Sequence, residues 1–142
     1  RERRVRPIEP TRQLADLIEK ISPRRGGRTH PATRVFQALR IAVNDEIGSL
    51  KRGLDGALKI LKPGGRLAVI TFHSLEDRVT KEWGRRLARD YEVTGEVDVP
   101  LLRKPVQPKL ILVHRKAIKP GEAEVKENPR SRSAQLRVFE KI

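Results

Sequence analysis

The residues best placed for chemistry are Phe72-His73-Ser74-Leu75-Glu76-Asp77-Arg78, an imidazole and a hydroxyl followed by three charged side chains. They come directly after the apolar run Leu67-Ala68-Val69-Ile70, a continuous stretch that suits a central strand covered on both faces. His73 and Ser74 are then expected at a strand's carboxyl end, where α/β sheets hold their ligands. There they can orient a polar substrate or move a proton. The competing reading makes Ser74 a helix cap with Asp77 at capping-box spacing, and Arg78 a surface ion-pair partner. A Ser-His-acid hydrolase is disfavoured, because no Gly-x-Ser-x-Gly elbow occurs and adjacent His and Ser side chains diverge.

Two further clusters suit phosphate. Thr29-His30-Pro31-Ala32-Thr33-Arg34 reads as a helix N-terminus flanked by Arg24, Arg25 and Arg28, and such ends attract anions. Asn128-Pro129-Arg130-Ser131-Arg132-Ser133 alternates guanidinium forks with hydroxyls, a pattern fit for phosphate oxygens or for a solvated connector. Trp83, Tyr91 and the three phenylalanines are too scattered for a base-stacking platform.

The elements that must position these residues follow from periodicity. Residues 1 to 10 are basic and proline-interrupted, and are expected to be extended or frayed. Thr11 to Ile21 predicts a short helix, and Pro23 to Arg28 a basic loop. A second helix is expected from Thr29-His30-Pro31, with Val35, Leu39, Ala42, Val43 and Ile47 on one face. Gly48-Ser49 and Gly53 predict a break, then another helix to Leu61 that Pro63-Gly64-Gly65 ends. Beyond the Leu67 strand, a helix is expected to about Arg89 with Leu75, Val79, Trp83 and Leu87 inward. Residues 91 to 107 look irregular. Strands are expected in Pro108–Ala117 and Gln135–Ile142, pairing antiparallel across a short polar helix or turn at 120–129.

Composition bounds the partners. The 142 residues carry a formal charge of +14, which favours a polyanion: RNA or DNA first, an anionic membrane surface second. Without cysteine there is no disulfide, thiolate nucleophile or Cys-type zinc site, and the three histidines lack metal-ligand spacing, so no metal is expected. No apolar run is long enough to span a membrane, and Arg1-Glu2-Arg3-Arg4 lacks the apolar core of a signal peptide. The absence of methionine throughout suggests a fragment or a processed chain. Neither Gly26-Gly27 nor Gly64-Gly65 opens a Rossmann fingerprint or a P-loop, so the chain lacks a cofactor cradle of its own.

Four runs occur in order: His30-Pro31-Ala32-Thr33-Arg34-Val35-Phe36-Gln37-Ala38-Leu39-Arg40-Ile41, Val43-Asn44-Asp45-Glu46, Phe72 to Arg78, and Asn128 to Ser133. Together they resemble the RsmH/MraW family, the bacterial 16S rRNA (cytosine-N4)-methyltransferases, from about Thr11 to Ile142. The resemblance implies an α/β chain: the C-terminal part of a class I, Rossmann-like methyltransferase fold, with about three strands and flanking helices. Residues 1–28 would be the end of an inserted helical substrate-recognition domain, and 29–142 part of the methyltransferase domain. It implies S-adenosylmethionine as cofactor, 16S rRNA or the small ribosomal subunit as partner, a cytoplasmic location and a homodimer among the expected assemblies. His73 and Ser74 are then expected to line the catalytic pocket, and Arg34, Arg130 and Arg132 to contact RNA. The family's glycine-rich cofactor loop, ribose-binding acid and Asp-Leu-Gly-x-Ser-Ser stretch have no match here. Cofactor-binding residues therefore stay unassigned, and the chain alone is expected to be inactive. The alternatives are a non-enzymatic basic module that binds rRNA, and a methyltransferase of DNA amines.

Overall fold

The computed structural model describes residues 1–23 and 30–142. The basic loop expected at 24–28, and Thr29 at the start of the second helix, lie outside the described residues. The chain divides into two compact units, Arg1–Glu46 and Ile47–Ile142.

The first unit is helical. Residues expected to be extended instead include a one-turn helix, α1 (Glu2–Val5), helped by an ion pair from Arg6 Nε to Glu2 Oε1 at 3.2 Å. Helix α2 (Thr11–Ile21) follows as expected, and α3 spans Ala32–Asn44. His30 Nε2 lies 3.4 Å from Glu19 Oε2 of α2, while its Nδ1 accepts the Ala32 N–H at 3.1 Å, opening α3. The break expected near Gly48-Ser49 comes earlier. Asp45 takes a left-handed conformation (φ 47°) that ends α3, where Arg40 bonds both carboxylate oxygens of Glu46. Helix α4 (Glu46–Ile60), which after its first residue belongs to the second unit, runs through Gly48, Gly53 and Gly56 without interruption. A glycine inside a helix costs about 1 kcal/mol, and the packing of Leu50, Leu54 and Leu58 against the core offsets the cost of all three. Val35, Leu39 and Val43, the expected inner face of α3, are exposed.

The second unit is built on a three-stranded antiparallel sheet, ordered β1 (Arg66–Thr71), β5 (Gln135–Lys141), β4 (Leu110–Leu112). The expected antiparallel pairing of the last two strands is present, with Leu112 opposite Phe139. β1 pairs with β5 from Arg66–Glu140 to Thr71–Gln135. Its other edge makes no strand pair among the described residues. A turn at Pro63-Gly64-Gly65 precedes β1. Gly64 sits at φ 78°, and its N–H reaches Lys141 O at 2.8 Å, pinning the start of β1 to the end of β5.

Alternation along β5 sorts its contacts. Arg137, Phe139 and Lys141 face the helices. Arg137 bonds both oxygens of Asp77 at 2.7 and 3.0 Å, and Phe139 meets Trp83 edge-on with centroids 5.3 Å apart. Lys141 Nζ donates to the carbonyls of Leu58 and Leu61 at the end of α4, where a cation complements the helix dipole. Leu54, Trp83, Leu110 and Phe139 form the buried centre, with Leu67 and Val69 of β1 against it. Trp83 Nε1 donates to Asp55 at 2.7 Å, tying α5 (Ser74–Leu87) to α4.

Two expectations need correcting here. The Leu67–Ile70 run is not covered on both faces: Leu67 and Val69 pack inward, while Ile70 is 59% exposed. On α5, the buried stripe is Asp77, Thr80, Trp83 and Gly84, while Leu75 is exposed. Gly84 is what lets Phe139 approach, because a Cβ there would overlap the Phe139 ring.

Residues 91–107, expected to be irregular, contain a hairpin of β2 (Tyr91–Val93) and β3 (Arg103–Pro105). Arg103 bonds Asp98 at 2.7 Å and lies 4.2 Å from the Tyr91 ring centroid. That hydrogen bond from Arg103 holds the Asp98 carboxyl below its ordinary value. Helix α6 (Glu122–Glu127) fills the expected polar segment. Among the described residues no helix is long and apolar enough to cross a membrane.

Candidate functional site

Antiparallel pairing of β1 with β5 explains why two motifs about sixty residues apart in sequence meet. Thr71, the last residue of β1, lies opposite Gln135, the first of β5. The residues leaving β1 (Phe72, His73, Ser74) and those entering β5 (Ser133, Ala134) therefore share one sheet end. Ile118 forms an isolated bridge to Leu136, which brings Lys119 to the same place. These residues, with Arg132 and Gln135, line an open cleft of about 380 Å³.

The start of α5 fixes one wall. The structure moves the capping box by one residue from the expected Ser74/Asp77 pair to His73/Glu76. The Glu76 N–H donates to His73 Nδ1 at 3.3 Å, while Glu76 Oε2 accepts the Phe72 and His73 N–H groups at 3.0 and 3.3 Å. A neutral His73 that accepts at Nδ1 carries its proton on Nε2. Nε2 is buried, 3.2 Å from Glu76 Oε1 but without hydrogen-bond geometry to any described group. The imidazole is thus held in one orientation by the helix start. Asp77, freed from capping, turns inward to Arg137, and Arg78 is exposed without a described ion-pair partner.

The opposite wall is a short 3-10 helix, Pro129–Ser133. Asn128 caps it by accepting the Arg130 N–H at 3.2 Å, and buried Ser131 donates its hydroxyl to Asn128 O at 2.8 Å. The alternation Arg-Ser-Arg-Ser therefore has a structural reason: Ser131 anchors the turn while Arg130 and Arg132 project outward. Arg132 lines the cleft and Arg130 does not. Among the described residues, the side chains of Lys119, Arg132, Ser74 and Ser133 have no hydrogen-bond or ion-pair partner. The cleft thus presents two unpaired cations and two hydroxyls, with no acidic side chain in its lining.

Of the residues singled out from sequence, the structure brings together His73, Ser74 and Arg132. Arg34 is exposed on α3 and belongs to the first unit. Lys119 and Gln135 were missed, and only the register of β5 against β1 and Ile118 could have revealed them.

The family model for the MraW methylase family matches residues 1–142. The chain belongs to the MraW methylase family. Its similarity to curated relatives is even. It is 53% identical over its whole length to the ribosomal RNA small subunit methyltransferase H of Symbiobacterium thermophilum, covering 45% of that protein. It is 55% identical over 96% of its length to the enzyme of that name from Citrifermentans bemidjiense, and 52% over 96% to that from Hyphomonas neptunium. It covers 44% and 40% of those two proteins, so the chain spans less than half the length of these relatives. The mixed helices and sheet are those of an α/β methyltransferase segment.

Proposed function

We propose that this chain is the C-terminal part of a cytoplasmic rRNA methyltransferase acting on the N4 amine of a cytidine in the decoding region of the small subunit. Residues 1–28 would close an inserted helical domain, and 29–142 would complete the catalytic domain. The observation that carries this reading is the cleft in which His73 and Ser74 meet Lys119 and Arg132. Two unpaired cations beside hydroxyls suit the phosphodiester backbone around a target nucleotide.

S-adenosylmethionine supplies the methyl group in this chemistry. The cleft residues do not fit it: Lys119 and Arg132 would repel a sulfonium, and no carboxylate lines the cleft to take ribose hydroxyls. Accordingly, no step at the cofactor is assigned to this chain. Its residues bind and orient RNA instead. Cytosine N4 is a weak nucleophile because its lone pair is conjugated into the ring, so the rate depends on holding the amine in line with the methyl donor. Arg132 and Lys119 would fix the flanking backbone, with Arg130 and Arg34 adding phosphate contacts. Ser74 would supply a hydroxyl to the substrate, while His73, locked by Glu76, forms the wall that sets its position.

The test uses the intact methyltransferase and assembled small subunits. Arg132→Gln is expected to raise KM for the subunit about tenfold, the worth of one charge-assisted hydrogen bond, with donor affinity unchanged. His73→Ala is expected to lower turnover. If neither variant changes turnover or RNA affinity, the cleft is not the substrate site. The non-enzymatic alternative keeps the RNA affinity but predicts no methyl transfer by the intact protein.

A further inference from the structure

A second pocket, of about 450 Å³, lies at the other end of α5, between that helix end and the β2–β3 hairpin. It is lined by the cations Arg86, Arg89 and Lys109 and by Leu87, Tyr91 and Val106. Glu92 is the one acidic side chain in the lining. The walls are tied together by backbone: Lys109 N–H donates to Leu87 O, and Val106 N–H to Asp90 O, both at 2.8 Å. Tyr91 is held in place from the hairpin side, where its hydroxyl donates to Asp98 and Arg103 lies over its ring. Arg89 lies 3.7 Å from Asp98 as well, and its guanidinium is over the Tyr91 ring, 5.4 Å from the centroid. Arg86 and Lys109 are exposed and have no described side-chain partner.

We propose that this pocket is a second RNA site that takes one nucleotide of a single-stranded segment, its phosphates on Arg86 and Lys109 and its base against the stacked pair of Tyr91 and Arg89. The chemistry is that of sites where a cationic rim tracks the backbone and an aromatic side chain receives the base. A small apolar metabolite would leave both cations without a purpose, and an acidic peptide would leave Tyr91 without one. The proposal rests on the RNA reading for the nature of the polyanion, yet it concerns a different place. Helix α5 has 14 residues and so separates the two pockets by about 20 Å, the reach of about six stacked nucleotides. The cleft at the start of α5 and the pocket at its end would then read one strand at two points, with the helix as spacer.

Fluorescence anisotropy with a labelled, unstructured 12-nucleotide RNA tests this on the full chain, using Arg86→Gln/Lys109→Gln. Both side chains are exposed and unpaired, so folding is not at stake. The expected result is a five- to tenfold loss of affinity and a salt slope shallower by about 0.7 for each cation removed. Tyr91→Leu is expected to weaken single-strand binding about tenfold and duplex binding little. The control Arg3→Gln/Arg4→Gln removes equal charge from α1. A loss in the control as large as in the pocket variant, or an unchanged slope in the pocket variant, overturns the proposal. An unchanged slope would leave an acidic protein as the partner of this surface. Arg132→Gln measured alongside reports on the cleft alone, so either site can fail while the other stands.

Discussion

The Asp77–Arg137 pair joins the first turn of α5 to the middle of β5, and replacing Asp77 by Ala tests what holds the cleft wall in place. Both side chains are close to nine-tenths buried, and the guanidinium meets the carboxylate through two bonds of 2.7 and 3.0 Å. Deleting one partner of such a pair leaves a desolvated charge with no counterion, which costs about 3–5 kcal/mol. Melting entropy scales with chain length, so in the Ile47–Ile142 unit this lowers Tm by about 15–25 °C. Urea denaturation followed by circular dichroism reads the loss as a lower midpoint at unchanged slope. Asp77→Leu with Arg137→Met removes both charges at similar volume and is expected to recover most of the loss, since apolar replacements of buried pairs are commonly neutral or better. A single-variant cost below about 1 kcal/mol, or a double variant no better than the single, would refute the reasoning. The first result would mean that water reaches the pair. The second would mean that α5 depends on the aspartate for something other than charge.

Two further outcomes follow from packing and charge. Gly84→Ala gains helix propensity of about 1 kcal/mol but drives a methyl into the Phe139 ring, so a net loss of about 1–3 kcal/mol is expected in thermal melts. Phe139→Leu in the same chain should give part of it back. In the hairpin, the hydrogen bond from Arg103 holds the Asp98 carboxyl below its ordinary value, so its contribution to pairing is present above the ordinary aspartate range and is lost as pH falls through the lowered value. The Tyr91 ring resonances should therefore shift with a midpoint lower than that of an ordinary aspartate, and Asp98→Asn should abolish that step.

The sequence made the long apolar and helical runs legible because their periods are local. Leu67–Ile70 announces β1, and Leu136, Val138 and Phe139 announce β5. It could not show that Arg137 serves Asp77, sixty residues away, because charged residues in a half-polar strand read as solvent-facing until the register is known. The capping box was misplaced by one residue for a related reason: Ser and Asp are the commoner caps, and a histidine acting through Nδ1 carries no compositional flag. The β2–β3 hairpin escaped because its strands are three residues each and polar, held by Arg103, Asp98 and Tyr91 rather than by an apolar face. His73, Ser74 and Arg132 were identified individually, but their meeting point depended on strands that pair antiparallel.

The two outer strands of the sheet differ in how they are guarded. β4 is three residues long and flanked by Lys109, Arg115 and Lys116, which discourage an incoming strand. β1 offers six residues, Arg66 to Thr71, with four successive apolar side chains and neither proline nor bulge along its open side. Unless another segment occupies that side, it is a template for strand addition, and concentrated solutions of the chain would thicken into oligomers through β1 first. The net charge of +14 opposes this at low salt, whereas raised salt screens the repulsion and leaves the template intact. Salt that would loosen any polyanion from so basic a chain thus also most exposes it to self-assembly.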